Sequence, residues 1–313
     1  MGATMITVTV RPNLFIVGGP KCGTTSLYRY LRQHPDVYMS PRKEPHFFCP
    51  DLFSPRYVHD EAAYLALFSG AGGARRIGEA SVYYLYSRDA APAIRAFAPD
   101  AQIIIMLRNP VDMIYSLHSQ RLYSGHEDIV DFEQALAAEP DRRQGRRLPP
   151  DPYPIPCLFY REIGRLAAQV QRYLDVFPRR QLHIIIFDEF VADTAGAFAA
   201  TCEFLGIDPQ FRPEFSVANP NKSVRSVQVR SWLRFSPLAK GLARAVLPKP
   251  MRQTVAEKLL ELNRRQEPRR PMPRALRRQL QQDYASDVAA LSALIGRDLT
   301  PWTQDPALRT QDP

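Results

Sequence analysis

The chain has no uninterrupted apolar run approaching the roughly 18 residues that a membrane-crossing helix needs, so no transmembrane segment is expected. Its N-terminus lacks a basic stretch leading into an apolar one, so no signal peptide is expected either. Only four cysteines occur, Cys22, Cys49, Cys157 and Cys202, and all lie far apart. With no Cys-x-x-Cys pair and no Cys/His ligand spacing, a metal site is not expected. Widely spaced cysteines in a long chain fit a reducing compartment, and a cytoplasmic location is expected. There is no internal repeat and no low-complexity tract. Acidic residues are the minority: 32 Asp and Glu face 41 Lys and Arg, for a net charge of +9. A basic surplus suits an anionic ligand, nucleic acid or a membrane surface, but it also describes an ordinary solvated face.

What is present is ordinary globular material: 45% hydrophobic and 23% charged residues in 313, enough to bury a core. Three short apolar runs read as buried strands, Leu14–Val17, Ile103–Leu107 and Leu182–Phe187. They are continuous rather than alternating, as strands of a parallel sheet covered on both faces should be. Helical patterns fall between and after them, at Thr24–Gln33, Asp89–Phe97, Pro110–Tyr123, Phe132–Ala138, Phe159–Val176 and Val191–Leu205. The alternation predicts an α/β fold with a central parallel sheet flanked by helices. The Pro-, Arg- and Asp-rich stretch Pro140–Pro156 reads as a long surface loop. From Ser216 the chain turns basic and helical, with helices expected over Val227–Leu247, Met251–Asn263 and Arg274–Leu294. One domain is expected over 1–313, with an α/β core at 13–210 and a mainly helical part at 216–302.

The chemistry is concentrated where the first strand ends. Phe15-Ile16-Val17 runs into Gly18-Gly19-Pro20-Lys21-Cys22-Gly23, and a helix opens at Thr24-Thr25-Ser26. A strand, a glycine-rich turn and a helix N-terminus together make an anion cradle. The two glycines have P-loop spacing, but Thr24 stands where that motif has its Lys, and the Lys sits inside the loop at position 21. The second good strand ends in Arg108-Asn109-Pro110, with Arg where a magnesium-holding Asp would stand. Arg108 and, two helical turns on, Ser116 are a fork and a hydroxyl suited to a second phosphate. Two phosphate sites without a metal site point to a bis-phosphorylated nucleotide.

The paired segments Pro20-Lys21-x-Gly23-Thr24-Thr25-Ser26-Leu27 and Leu107-Arg108-Asn109-Pro110-x-x-x-x-x-Ser116 resemble those of the sulfotransferases that use 3′-phosphoadenosine 5′-phosphosulfate (PAPS). Lys43-Glu44-Pro45-His46-Phe47-Phe48, Glu79-Ala80-Ser81-Val82-Tyr83-Tyr84 and Leu294–Trp302 are similar to segments of the heparan-type, glycan-directed branch and its bacterial relatives. The resemblance implies a P-loop-like three-layer fold and metal-independent sulfuryl transfer to a hydroxyl or amine of a glycan, lipid or natural product. It implies that Lys21, Cys22, Gly23, Thr24, Thr25 and Ser26 hold the 5′-phosphosulfate and that Arg108 and Ser116 hold the 3′-phosphate. The branch often has Lys where this chain has Ala80. It also has a Lys-Gly-Arg nucleotide loop that is absent here, and Arg269 and Arg270 stand near its place.

Lys21 is the expected electrostatic catalyst, and Glu44 and His46 are the rival acceptor bases. The family match favours Glu44, whereas the ordinary pKa of the side chain favours His46. Glu79 reads equally as a pairing residue at a strand end, and Tyr83, Tyr84 and Tyr86 as core or groove lining. Two rival functions remain: a P-loop small-molecule kinase, and a non-catalytic protein binding anions or nucleic acid through Val227–Asn263. Those basic helices have little aromatic interleaving, so no nucleic-acid partner is expected, while peripheral membrane contact through them stays open.

Overall fold

The computed structural model describes residues 10–216, 223–224, 264–265 and 270–304. The predicted helices Val227–Leu247 and Met251–Asn263 lie outside the described residues. The chain divides into two compact units. The first takes in Met1–Met113, Arg165–Ala218 and Tyr284–Pro313, and the second Ile114–Gly164 and Asn219–Asp283.

The first unit holds five parallel strands: β1 (Leu14–Ile16), β2 (Val37–Met39), β3 (Arg76–Ala80), β4 (Gln102–Leu107) and β5 (Leu182–Ile186). Their order is β2-β3-β1-β4-β5. β1 pairs with β3 on one side and β4 on the other, Ile16 standing opposite both Ala80 and Ile104. The chain winds to one side of β1 and then crosses to the other, so the β1/β4 boundary is the topological switch point. In an open α/β sheet the ligand crevice lies beyond the strand ends there. Helices α1 (Thr24–Leu31), α2 (Glu61–Ala66) and α3 (Ala90–Phe97) flank the sheet, and α4 (Pro110–Ser124) begins directly after β4. This is the P-loop-like arrangement expected from the sequence.

β2 and β3 carry no clear sequence signal. β3 reads Arg76-Ile77-Gly78-Glu79-Ala80, three of whose residues are poor strand formers, and tertiary pairing overrides that preference. A Cβ on Gly78 would lie 2.9 Å from the Leu14 carbonyl oxygen, so close approach to β1 requires glycine.

The second unit contains α5 (Phe132–Ala137), α6 (Glu139–Arg143), α7 (Tyr160–Ile163) and a short antiparallel pair, β6 (Ser223–Val224) with β7 (Arg264–Arg265). The predicted loop Pro140–Pro156 is not simply a surface loop. Arg142 is fully buried and pairs with buried Glu127 at 2.7 Å, and Tyr160 donates its hydroxyl proton to the same carboxylate at 2.8 Å.

The expected helix Phe159–Val176 is interrupted. α8 (Leu166–Val176) starts afresh in the first unit, where Asp287 accepts from the Leu166 N–H at 2.8 Å. The expected helix Val191–Leu205 likewise becomes α9 (Phe187–Ala192) and α10 (Thr194–Leu205), because the Asp193 side chain caps the second from outside. The C-terminal helix spans Arg274–Ile295.

Candidate active site

The turn after β1 is built around its glycines. A Cβ on Gly18 would fall 2.5 Å from the Met106 nitrogen, so only glycine lets the loop press against β4. The Gly19 N–H donates to the Met106 carbonyl at 2.9 Å. Gly23, with φ of 86°, turns the chain into α1 and leaves that N-terminus without a side-chain cap. The first-turn N–H groups of such a helix need an outside acceptor, and an anion is a suitable one. Thr24 is nearly buried, whereas Thr25 and Ser26 are part-exposed. Burial pushes the Cys22 thiol up to about 12 against the pull of Arg108 and Lys21, so Cys22 serves by packing and through its backbone.

Arg108 reaches this loop from the end of β4. Its guanidinium donates to the Lys21 carbonyl at 3.1 Å and lies 4.5 Å from the Phe187 ring centroid at the start of α9. The contact ties Arg108, just past β4, to the backbone of the Lys21 turn, and Phe187 is a supporting residue that the sequence did not single out for the site. Ser116 is buried on α4 within the second unit. Arg269 lies outside the described residues. Arg270 is exposed, and its carbonyl accepts from the Tyr115 hydroxyl at 2.8 Å within the second unit.

The Glu44 loop hangs from β3. The Glu44 N–H donates to the Ala80 carbonyl at 2.9 Å, and the Ser81 N–H to the Ile16 carbonyl at 3.0 Å. The loops following β1, β3 and β4 therefore leave the same edge of the sheet. Glu44 and His46 do meet: His46 Nε2 lies 3.7 Å from Glu44 Oε2. The Glu44 side chain is 36% exposed, while His46 is enclosed, its ring 4.4 Å from Tyr57 and 5.5 Å from Tyr83.

Lys43, which the sequence did not single out, contacts Glu44 Oε1 at 2.5 Å. Burial works to raise the Glu44 pKa, but the Lys43 ammonium and then His46 outweigh it and hold the carboxyl well below the usual range. Position 80 has no cation, and Lys43 supplies one beside Glu44 from another direction.

Glu79 is fully buried at the end of β3 and accepts from three hydroxyls, Tyr64 and Tyr84 at Oε1 and Ser81 at Oε2, at 2.8, 2.7 and 2.6 Å. Burial, opposed by those bonds, raises its pKa to about 7. The left-handed backbone region, costly for residues with a side chain, is occupied by four described non-glycine residues: Lys21, Glu44, His46 and Arg147. Three of them are the residues singled out from sequence as catalytic, and strain of this kind collects at functional sites.

Residues 11–229 match the family model described as Sulfotransferase domain. A crystal structure of a sulfotransferase from Alicyclobacillus acidocaldarius superposes with a TM-score of 0.72 at 35% identity, covering 94% of this chain and all of that one. The human protein named carbohydrate sulfotransferase 15 is 28% identical over 255 residues, 63% of this chain and 44% of the relative. Human heparan sulfate glucosamine 3-O-sulfotransferase 3B1 is 29% identical over 196 residues, 63% of this chain and 46% of that protein. The chain thus spans about half the length of the curated relatives it matches.

These relatives overturn the expected cytoplasmic location, since they are named for carbohydrate and heparan sulfate, not for cytoplasmic acceptors. That expectation rested on the cysteines. All four are free and buried, and a buried thiol persists unpaired in either redox environment. Among the described residues no helix is long and apolar enough to cross a membrane.

Proposed function

Because the chain belongs to the sulfotransferase family, we propose that it moves a sulfuryl group from PAPS to a hydroxyl or amine of a carbohydrate acceptor. The observation that carries this reading is the left-handed Lys21 turn braced by Arg108 at the switch point. Arg108 ends β4 where a magnesium-dependent kinase would place Asp, which argues against the kinase alternative. The family match takes in residues of both units, and we read them as one catalytic domain.

In the proposed reaction the acceptor oxygen or nitrogen forms a bond to sulfur as the bond from sulfur to the 5′-phosphate oxygen breaks. The nucleotide leaves with the electron pair, and the acceptor proton passes to Glu44. Negative charge grows on the departing phosphate oxygen. Lys21, the N–H groups of Gly23 to Thr25 and the Thr25 and Ser26 hydroxyls are the groups available to stabilise it, the Ser26 N–H being bonded to the Gly23 carbonyl at 2.9 Å. Arg108 and Ser116 are assigned to the 3′-phosphate on their sequence motif. Glu44 is preferred as base because its carboxylate is the exposed member of the Glu44–His46 pair. His46 orients it, and its enclosed ring leaves less room for an acceptor. The carbohydrate class follows the names of the relatives.

The test compares nucleotides and acceptors directly. 3′-Phosphoadenosine 5′-phosphate should raise the melting temperature, and ATP with magnesium should not. Labelled sulfate should pass from PAPS to unsulfated glycosaminoglycans with EDTA present. Arg108→Ala should weaken binding of the 3′-phosphorylated nucleotide by roughly 10- to 100-fold, but binding of adenosine 5′-phosphosulfate much less. Stabilisation by ATP–magnesium alone, or equal losses for both nucleotides, would refute the corresponding assignment.

A further inference from the structure

We propose that Glu79 is a positioning residue for the transfer reaction: through the hydroxyls of Ser81 and Tyr84, its carboxylate fixes the backbone of the Glu44–Phe48 loop. The proposal rests on the sulfotransferase reading for its link to catalysis.

A hydroxyl has one proton to give. Ser81 gives its proton to Glu79 Oε2 at 2.6 Å, and Tyr84 gives its own to Oε1 at 2.7 Å. Each oxygen is then left as an acceptor. Ser81 Oγ takes the His46 N–H at 3.1 Å, and the Tyr84 hydroxyl oxygen takes the Phe48 N–H at 3.3 Å. One acceptor-only group thereby orients two hydroxyls, and the two hydroxyls pin alternate amides of one loop. The loop needs such support, because Glu44 and His46 hold φ of 64° and 53°. A fully buried carboxylate is an expensive way to fill space, and among the described residues no cation comes within ion-pair distance of Glu79.

The hold depends on ionisation. A protonated Glu79 has a hydrogen of its own to donate and no longer fixes both hydroxyls as acceptors. The groups facing it are Tyr64 from α2, Ser81 and Tyr84 from the turn after β3, Lys43 from the loop and Tyr173 from α8. Burial raises its pKa to about 7, with Lys43 opposing, so ordinary pH changes would reach it.

The test reads amide hydrogen exchange by NMR in the full chain without ligand, alongside steady-state transfer. Glu79→Gln should speed exchange at both His46 and Phe48 by about tenfold or more while β4 amides stay protected. Ser81→Ala should release only His46, and Tyr84→Phe only Phe48. In the transfer assay Glu79→Gln should lower kcat by roughly tenfold or more with the donor KM little changed. A folded Glu79→Gln protein with both amides still protected overturns the proposal, as does loss of kcat without loop release. If Glu79→Gln does not fold, the two hydroxyl variants decide, and exchange at His46 and Phe48 that fails to separate between them also overturns it. A wild-type protein that transfers no sulfate refutes the sulfotransferase reading, while the exchange arm still judges whether Glu79 holds the loop.

Discussion

At the scale of single residues, backbone strain and charge coincide at Lys21. Its φ of 66° costs any residue with a Cβ, and glycine would relieve it. Lys21→Ala and Lys21→Gly should both lower turnover by about 100-fold or more. The glycine variant should nonetheless be the more stable of the two by about 1 kcal/mol, measured by denaturant unfolding. Retained turnover in either would remove Lys21 from the mechanism. Lys43 makes a different point, since its ion pair keeps Glu44 ionised but weakly basic. Lys43→Met should raise the Glu44 pKa and move the acid limb of the kcat–pH profile upward. Glu44→Gln should cost roughly 100-fold in kcat and His46→Asn less. A near-normal Glu44→Gln beside an inactive His46→Asn would transfer the base role to His46. The sequence made the Lys21 turn, Arg108 and the Glu44–His46 pair legible because each is a local pattern. Ser81 and Glu79 acquire their roles from partners distant in the chain, His46 and Tyr64, and Lys43 from a side-chain geometry toward its neighbour Glu44 that spacing alone does not reveal.

At the scale of elements, the fit between β1 and β4 depends on Gly18. The three atoms nearest a Cβ there are Met106 backbone and Cβ atoms, within 2.5 to 2.7 Å, and none of these can swing aside. At Gly19 the nearest atom is Met113 Sδ at 2.9 Å, the end of a flexible side chain. Gly18→Ala should therefore cost about 2–4 kcal/mol and Gly19→Ala clearly less, measured by urea unfolding. Equal costs would mean that the two strands can separate. β1, β4 and β5 were legible because strands buried on both faces read as unbroken apolar runs. β2 was too short to register, and β3 conceals its identity behind Arg76, Gly78 and Glu79, the last a buried charge at the site. Pro140–Pro156 misled for a related reason: Arg142 looks solvated in sequence, but its partner Glu127 is supplied by the fold.

At the scale of the whole molecule, each unit buries a carboxyl whose pKa is raised to about 7 chiefly by burial: Glu79 in the first and Glu139 in the second. Between the ordinary carboxyl value of 4.5 and about 7, the folded chain keeps these two protons after the unfolded chain has lost them. Each group therefore makes stability fall as pH rises through that window, by at most about 1.4 kcal/mol per pH unit. His183 acts the other way. Burial, helped by Arg179, lowers its pKa to about 4, so between 4 and 6.5 it is the unfolded chain that holds the extra proton. His118 in the second unit, whose pKa burial also lowers, acts in the same sense as His183, so the two carboxyls and two histidines pull against one another below pH 6.5, and only the carboxyls act from there toward pH 7. Glu139 accepts from the Arg161 N–H at 3.0 Å and lies outside the proposed site, so Glu139→Gln tests this balance without touching the chemistry. Relative to the wild type, the variant should gain melting temperature progressively between pH 5 and 7 while the shape of the activity–pH profile is unchanged. A melting profile as steep as that of the wild type would show that Glu139 is already ionised across the window and that burial does not govern its proton.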